Sequence, residues 1–418
     1  MTAYFIRRFL LILPTLVGAT MAVYFIVRMA PGGPVEAMMR QAMALNAKSS
    51  QRDAGGSLSE EQKEQLLVHF KFDKPYLIGY LMWLGALPSE ESRQVIKVED
   101  GKKEASGTLK RLLPKAEWKP NNAYELIEAV LNEKGEVRDK SGNLVPGWKA
   151  RFEPEKQRFV VFRPEFNGLL QGNLGISTRY NDPVGGMMLE RMPVSIFYGL
   201  ISFVLTYIVC IPLGVVKAIK HRSFLDNASS ILIFIGYAVP GFVLGSILVV
   251  YLAARMGWFP TGGFTSENFA DMGFLEKAWD LVHHGALPLV CYMVGSFAFI
   301  TMLMKNNLMD NLASDYVRTA VAKGASFRLA VVGHALRNSL IPIATTLGGI
   351  VTIFVAGSIL VERVFDINGF GMLSFQAVLD RDVPLMMGIL TIDVFLIMLG
   401  NILSDYLVAC MDPRIRFE

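Results

Sequence analysis

Six stretches of this 418-residue chain are almost free of formal charge: residues 9–27, 192–216, 228–254, 285–304, 339–361 and 383–404, with Asp393 the one charged residue among them. Crossing a hydrocarbon core of about 30 Å takes roughly 20 helical residues, and each stretch meets that length. Core helices of a soluble protein would carry a polar stripe, and these carry none. Only 19% of the residues are charged, against roughly 25% in soluble domains, and the mean hydropathy is +0.38. The chain reads as an all-α membrane protein of six transmembrane helices.

Orientation follows from Lys and Arg near the span ends. With the N-terminus inside, the short cytoplasmic segments hold twelve: Arg7, Arg8, Lys217, Lys220, Arg222, Lys305, Arg318, Lys323, Arg328, Arg337, Arg414 and Arg416. The two short external loops hold four, Arg255, Lys277, Arg363 and Arg381. Both ends are therefore expected in the cytoplasm, and the net charge of +4 reflects orientation rather than nucleic-acid binding. Arg7-Arg8 resembles the start of a signal peptide. The apolar run behind it is too long, however, and no small-x-small site follows, so the first helix reads as uncleaved. Cys210, Cys291 and Cys410 fall in or beside spans, which leaves the external segment without a disulfide frame.

Three parts follow: residues 1–30, tail and first span; 31–191, an extracytoplasmic region; and 192–418, the other five spans. Residues 88–165 have the composition of a small soluble α+β domain inserted in that region. Pro31-Gly32-Gly33-Pro34 forms a turn, and Ser59-Glu60-Glu61-Gln62 opens a short helix. The pattern predicts a strand over 93–98 and a helix over 123–132, capped by Asn121 or Asn122. Hairpin strands over 151–152 and 158–162 follow the Ser141-Gly142-Asn143 turn.

The cytoplasmic segment 305–338 is far longer than a connector between adjacent helices needs. Leu308, Leu312, Tyr316 and Thr319 recur at helical spacing, Gly324 breaks the pattern, and a second helix starts near Ser326. The pattern suits a projecting pair of short helices.

Tyr316-Val317-Arg318-Thr319-Ala320-Val321-Ala322-Lys323-Gly324, followed by His334-Ala335-Leu336-Arg337-Asn338 and Pro342, resembles the cytoplasmic loop of ABC importer permeases. The superfamily pattern there is Glu-Ala-Ala-x-x-x-Gly. Arg318 and Thr319 replace its first two residues, as is common in the dipeptide/oligopeptide subclass, while Ala320 and Gly324 match. Tyr80-Leu81-Met82-Trp83-Leu84, Gly172-Asn173-Leu174-Gly175, Pro240-Gly241-Phe242, Arg381-Asp382-Val383-Pro384 and Asp412-Pro413-Arg414 also fit. Gly33 replaces a common Asp and Asn368 a common Pro, and the chain is most similar to Yej-type permeases, associated with oligopeptides and microcin C-like peptides. The tryptophan and Gly-Asn-Leu-Gly elements are normally close together, so 88–165 reads as an insertion outside the resemblance.

The resemblance implies a type I importer permease that moves peptides across the bacterial inner membrane. Its implied partners are a second homologous permease, two ABC ATPase subunits and an extracytoplasmic peptide-binding protein. Tyr316, Arg318, Thr319, Ala320, Ala322, Lys323 and Gly324 would form the helix that docks on an ATPase. ATP and magnesium would belong to those ATPases, since the chain has no Gly-x-x-x-x-Gly-Lys-Ser/Thr loop and needs no cofactor of its own. The chain would not itself be an enzyme.

Inside the bilayer, Gly241/Gly245 and Gly348, Gly349, Ala356 and Gly357 form small-residue faces for close helix packing. Asp393 is expensive in a span and faces either a peptide amine or the partner permease. Glu362 and Arg363 either line an external gate or pair at the interface. His283-His284, adjacent on a helix, lacks the spacing of a metal site. Two other functions stay open: a secondary transporter using Asp393 as a proton relay, and an ABC permease for an opine or nickel chelate.

Overall fold

The computed structural model describes residues 2–29, 64, 67, 68, 71, 73–98, 104–112, 124–132, 135–347 and 359–411. The expected turn at 31–34, the helix start at Ser59, the caps at Asn121 and Asn122, and the Gly348–Gly357 face lie outside them. The chain divides into two units, Met1–Pro34 with Gly175–Glu418, and Val35–Leu174.

The first unit is helical. Among the described residues, four of its helices are long and apolar enough to cross a membrane: α1 (Thr2–Met29), α3 (Val184–Ile219), α6 (Phe274–Leu312) and α13 (Val383–Met411). Helix α2 (Tyr76–Leu84) is in the other unit. The third predicted span is not one straight helix. It consists of α4 (Phe224–Ala238) and α5 (Gly241–Leu248, continuing in wider turns over Val249–Arg255), which meet at 94°. The cause is Pro240. It has no N–H to donate and forces Val239 into extended backbone, φ −93°, ψ 117°. Of the fifth predicted span, the described parts are α10 (Ile341–Thr346) and α11 (Ile359–Val364).

The Gly241/Gly245 face packs as its small residues suggest. A Cβ on Gly241 would stand 2.6 Å from the Cys291 carbonyl oxygen of α6, and one on Gly245 3.0 Å from the Phe365 ring. At one end of the bundle the Tyr4 hydroxyl donates to Asp405 at 3.2 Å, and Arg8 pairs with the same carboxylate. Ser404 donates to the Thr345 carbonyl at 2.7 Å. The start of α1, the end of α13 and α10 therefore share one end.

The second unit holds α2 and two antiparallel three-stranded sheets, β1-β6-β5 and β2-β3-β4. The strands are β1 (Ser89–Lys97), β2 (Glu104–Leu112), β3 (Tyr124–Asn132), β4 (Val137–Asp139), β5 (Lys149–Glu153) and β6 (Arg158–Glu165). The predicted helix over 123–132 is thus a strand. Ile127, Ala129 and Leu131 turn inward at every second position, and the nine-residue pairing with β2 outweighs the helix preference of its Glu, Ala and Leu. The two expected hairpin strands are β5 and β6. Leu109, Leu131, Val137, Trp148, Phe159 and Val161 form the core. The Gln94 side-chain amide joins the sheets, accepting from Lys110 N at 3.0 Å and donating to Lys110 O at 2.9 Å. Ser89 pairs with Glu165, so the chain enters and leaves this domain at neighbouring points.

Glu64 gathers three cations in this unit: Arg93 at 2.8 Å, Lys156 at 2.7 Å, and Arg158. Burial pushes its carboxyl up, but hydrogen bonds from Lys156, Arg93 and Arg158 outweigh burial and hold it at about 2.

Candidate functional site

The segment after α6 folds into a short helix and a broken one. Helix α7 (Asp315–Ala322) is followed by α8 (Phe327–Ala330), a wider turn over Val331–Ala335, and α9 (Leu336–Ser339). Ser314 leads α7 in extended backbone, and Asp315 places negative charge at its positive end. Its other end closes in a Schellman motif: Gly324 N donates to Val321 O at 2.9 Å and Ala325 N to Ala320 O at 3.1 Å. That closure needs a left-handed residue, and Gly324 adopts φ +92°. Ser326 then caps α8, its hydroxyl accepting from Leu329 N.

One residue of α7, Val317, is buried. It joins Ala218 of α3, Met304 and Leu308 of α6, Ala330, Ala335 and Ile343 in one apolar cluster. The rest of α7 faces outward. Tyr316, Arg318, Thr319, Ala322, Lys323 and Gly324 are exposed, and Ala320 is half-buried. Beyond the turn Phe327, Leu329 and Val332 are also exposed, at 56%, 58% and 57%. These large apolar side chains lie uncovered beside a sharp turn that one buried valine anchors. The seven residues expected from the sequence therefore lie on one compact element.

The other expected residues are not brought together. Asp393 lies half-buried midway along α13, and no hydrogen bond or ion pair joins it to another residue among those described. Glu362 is only 1% exposed, whereas Arg363 is exposed, and no ion pair links them among the described residues. Glu362 instead accepts from Ser195 of α3 at 3.2 Å, from Tyr292 of α6 at 3.3 Å and from Met372 N at 2.6 Å. Its carboxylate thus sits on the first turn of α12 (Phe370–Leu379), where negative charge is favoured. His283 and His284 bond separate carbonyls, of Trp258 at 2.8 Å and Asp280 at 3.0 Å. Among the described residues no group of His, Cys, Asp and Glu could hold a metal.

Sequence reasoning missed a buried ionic knot beside the site. Asp226, in the first turn of α4, lies between Lys217 of α3 and Lys305 of α6. The signal was there: Ser223 followed three residues later by Asp226 is a helix-start pattern, and both lysines stand directly after a charge-free stretch.

Residues 210–417 match the family profile of the binding-protein-dependent transport system inner membrane component. The peptidoglycan transport system permease protein YejB of Agrobacterium fabrum is 30% identical over 421 residues, covering 100% of this chain and 99% of that protein. The chain belongs to this family. The inner membrane ABC transporter permease protein YejB of Escherichia coli O157:H7 is 31% identical over 421 residues, with 100% of both chains covered. The oligopeptide transport system permease protein AppB of Bacillus subtilis is 28% identical over 418 residues, again with 100% of both covered. These alignments span the chain from end to end. Segment 305–338 falls inside the matched profile. Members of the family are membrane components of ABC importers and not themselves enzymes.

Proposed function

We propose that this chain is the permease subunit of an ATP-driven peptide importer, and that α7 and the turn at Gly324 dock on a separate ATPase subunit. The observation that carries this reading is α7 itself: eight residues, one of them buried, closed by a left-handed glycine and flanked by exposed Phe327 and Leu329. In this arrangement both chain ends and 305–338 face the cytoplasm. The ion pair of Arg8 with Asp405 and the Lys/Arg distribution support that topology. Residues 88–165 are then extracytoplasmic.

A peptide has several polar backbone groups and often charged ends, so it needs a wide hydrated path. Two six-helix subunits, this one and a homologous partner, form such a path at their interface. A binding protein delivers the peptide from outside, and two ATPases holding ATP and magnesium close beneath. Their closure displaces α7, and the helices rock between inward- and outward-open states. The relatives' named cargoes, oligopeptide and peptidoglycan, share peptide bonds and favour peptides over an opine or nickel chelate. Asp393, a half-buried carboxylate on α13, is the residue we assign to the substrate path, where it meets the peptide amine. A proton-coupled carrier would leave α7 and Gly324 without a role.

Proteoliposomes containing the two permeases and ATPases, supplied with binding protein and labelled peptide, test this reading. Uptake is expected only with ATP inside the ATPase compartment. Equal uptake without ATP, or uptake collapsed by a protonophore, would overturn it.

A further inference from the structure

Three elements converge at the cytoplasmic end of the bundle on one carboxylate. Lys305 of α6 stands 2.8 Å from both oxygens of Asp226. Lys217 of α3 lies 3.1 Å from Asp226 Oδ1 and donates to the Asp226 carbonyl, Ser229 and Ser230, each at 2.8 Å. Arg222 N donates to the same carboxylate at 3.1 Å, His221 lies 3.3 Å away, and Ser223 accepts from Asp226 N at 3.3 Å. The exposures are 0% for Lys217, 2% for Asp226 and 7% for Lys305.

We propose that Asp226, held by Lys305, is the positioning residue that carries motion of the docked α7 into α4, and so into the bent third crossing. The inference rests on the docking reading above. Its ground is adjacency. Lys217 and Lys305 are the chain neighbours of Ala218 and Met304, and those two belong to the apolar cluster that buries Val317 of α7. No residue of α4 belongs to that cluster. The ionic knot and the seat of α7 are thus back to back on α3 and α6, and the knot extends the seat to α4.

Pulling a buried carboxylate away from its ammonium partners leaves uncompensated charge in a low-dielectric interior, so the joined elements move as one body. From Asp226, α4 runs to its 94° junction with α5 at Pro240. A shift at its first turn therefore reaches the middle of the bundle.

Lys305→Met separates this role from a merely structural one. It cuts the tie from α6 to α4, while Asp226 keeps Lys217 and the Arg222 N–H. In the reconstituted transporter, with assembled complex matched to wild type, peptide moved per ATP hydrolysed is expected to fall about tenfold, the scale by which residues along a coupling network act. Lys305→Arg should restore most of it. An unchanged ratio, or no recovery with Arg, would overturn the proposal. If Lys305→Met does not assemble, spin labels at exposed Phe224 and Asn306 in the otherwise native chain give an independent answer. Their separation should stay constant between nucleotide-free and ATP-trapped states, and a change of several ångströms would overturn the proposal. The native complex serves as control: without ATP-driven uptake the docking reading falls, whereas normal uptake with an unaltered Lys305→Met ratio removes this proposal alone.

Discussion

The carboxylates of Asp226 and Glu64 each collect several cations, and they do opposite jobs because of where they stand. Asp226 is sealed among α3, α4 and α6 with 2% exposure. Glu64, in the β-rich unit, meets Arg93, Lys156 and Arg158 with 22% of its side chain still in water. In the first setting water cannot substitute for a lost partner, so the pairing is obligatory and ties elements together. In the second, Glu64 is partly wet and buried Arg158 keeps Glu153 as a second partner at 2.6 Å, so the pairing is less binding in a domain whose core is Leu131, Trp148 and Phe159.

Removing each carboxylate should expose that difference most strongly. Asp226→Ala leaves two buried ammonium groups without a counterion and is expected to cost about 3–5 kcal/mol, a large share of the total stability. Glu64→Gln should cost clearly less, since Glu64 is partly wet and Arg158 keeps Glu153. Thermal melts of the purified permease would read both, and similar shifts for the two would break the distinction.

Gly324→Pro comes next and probes the exposed site rather than the knot. It deletes the N–H that bonds Val321 O and forbids φ +92°, so the turn cannot close. Helix packing should survive, with the melting temperature within a few degrees of native, while ATP hydrolysis continues without peptide uptake. Ala320→Trp should do the same by steric block. Full coupled uptake in either variant would mean that α7 is not the docking element.

A smaller effect concerns pH. Glu64 is held at about 2, below its unfolded value of about 4.3. A depressed carboxyl stabilises the fold above the unfolded value and loses that contribution as pH falls through the folded one. The β-rich unit should therefore lose stability between roughly pH 4.3 and 2, visible in tryptophan fluorescence through buried Trp148, and Glu64→Gln should flatten the slope. Salt gives the smallest effect. Raising it to about 1 M, where screening acts over roughly 3 Å, should weaken the Glu64 cluster and leave the Asp226 knot unchanged.

Much of this was legible in the chain. A charge-free run of span length has few alternatives, and four of six appear as continuous helices with a fifth bent at Pro240. The break at Gly324 could be read because a left-handed turn demands glycine locally, and the seven residues through their resemblance to an importer-permease loop. The segment 123–132 could not. Glu, Ala and Leu suit a helix equally well, and only pairing with β2 made it a strand.

The sequence by itself determined what belongs in lipid, which ends carry positive charge and where α7 must turn, because hydrophobicity, charge and backbone strain act over a few neighbouring residues. Tertiary structure alone decided that Lys217, Asp226 and Lys305 meet, and that Glu362 seats the first turn of α12 rather than pairing with Arg363. Lys305 reaches Asp226 across 79 residues of chain, and Ser195 reaches Glu362 across 167. Burial sets the strength of their interaction, and burial exists only once the helices have packed.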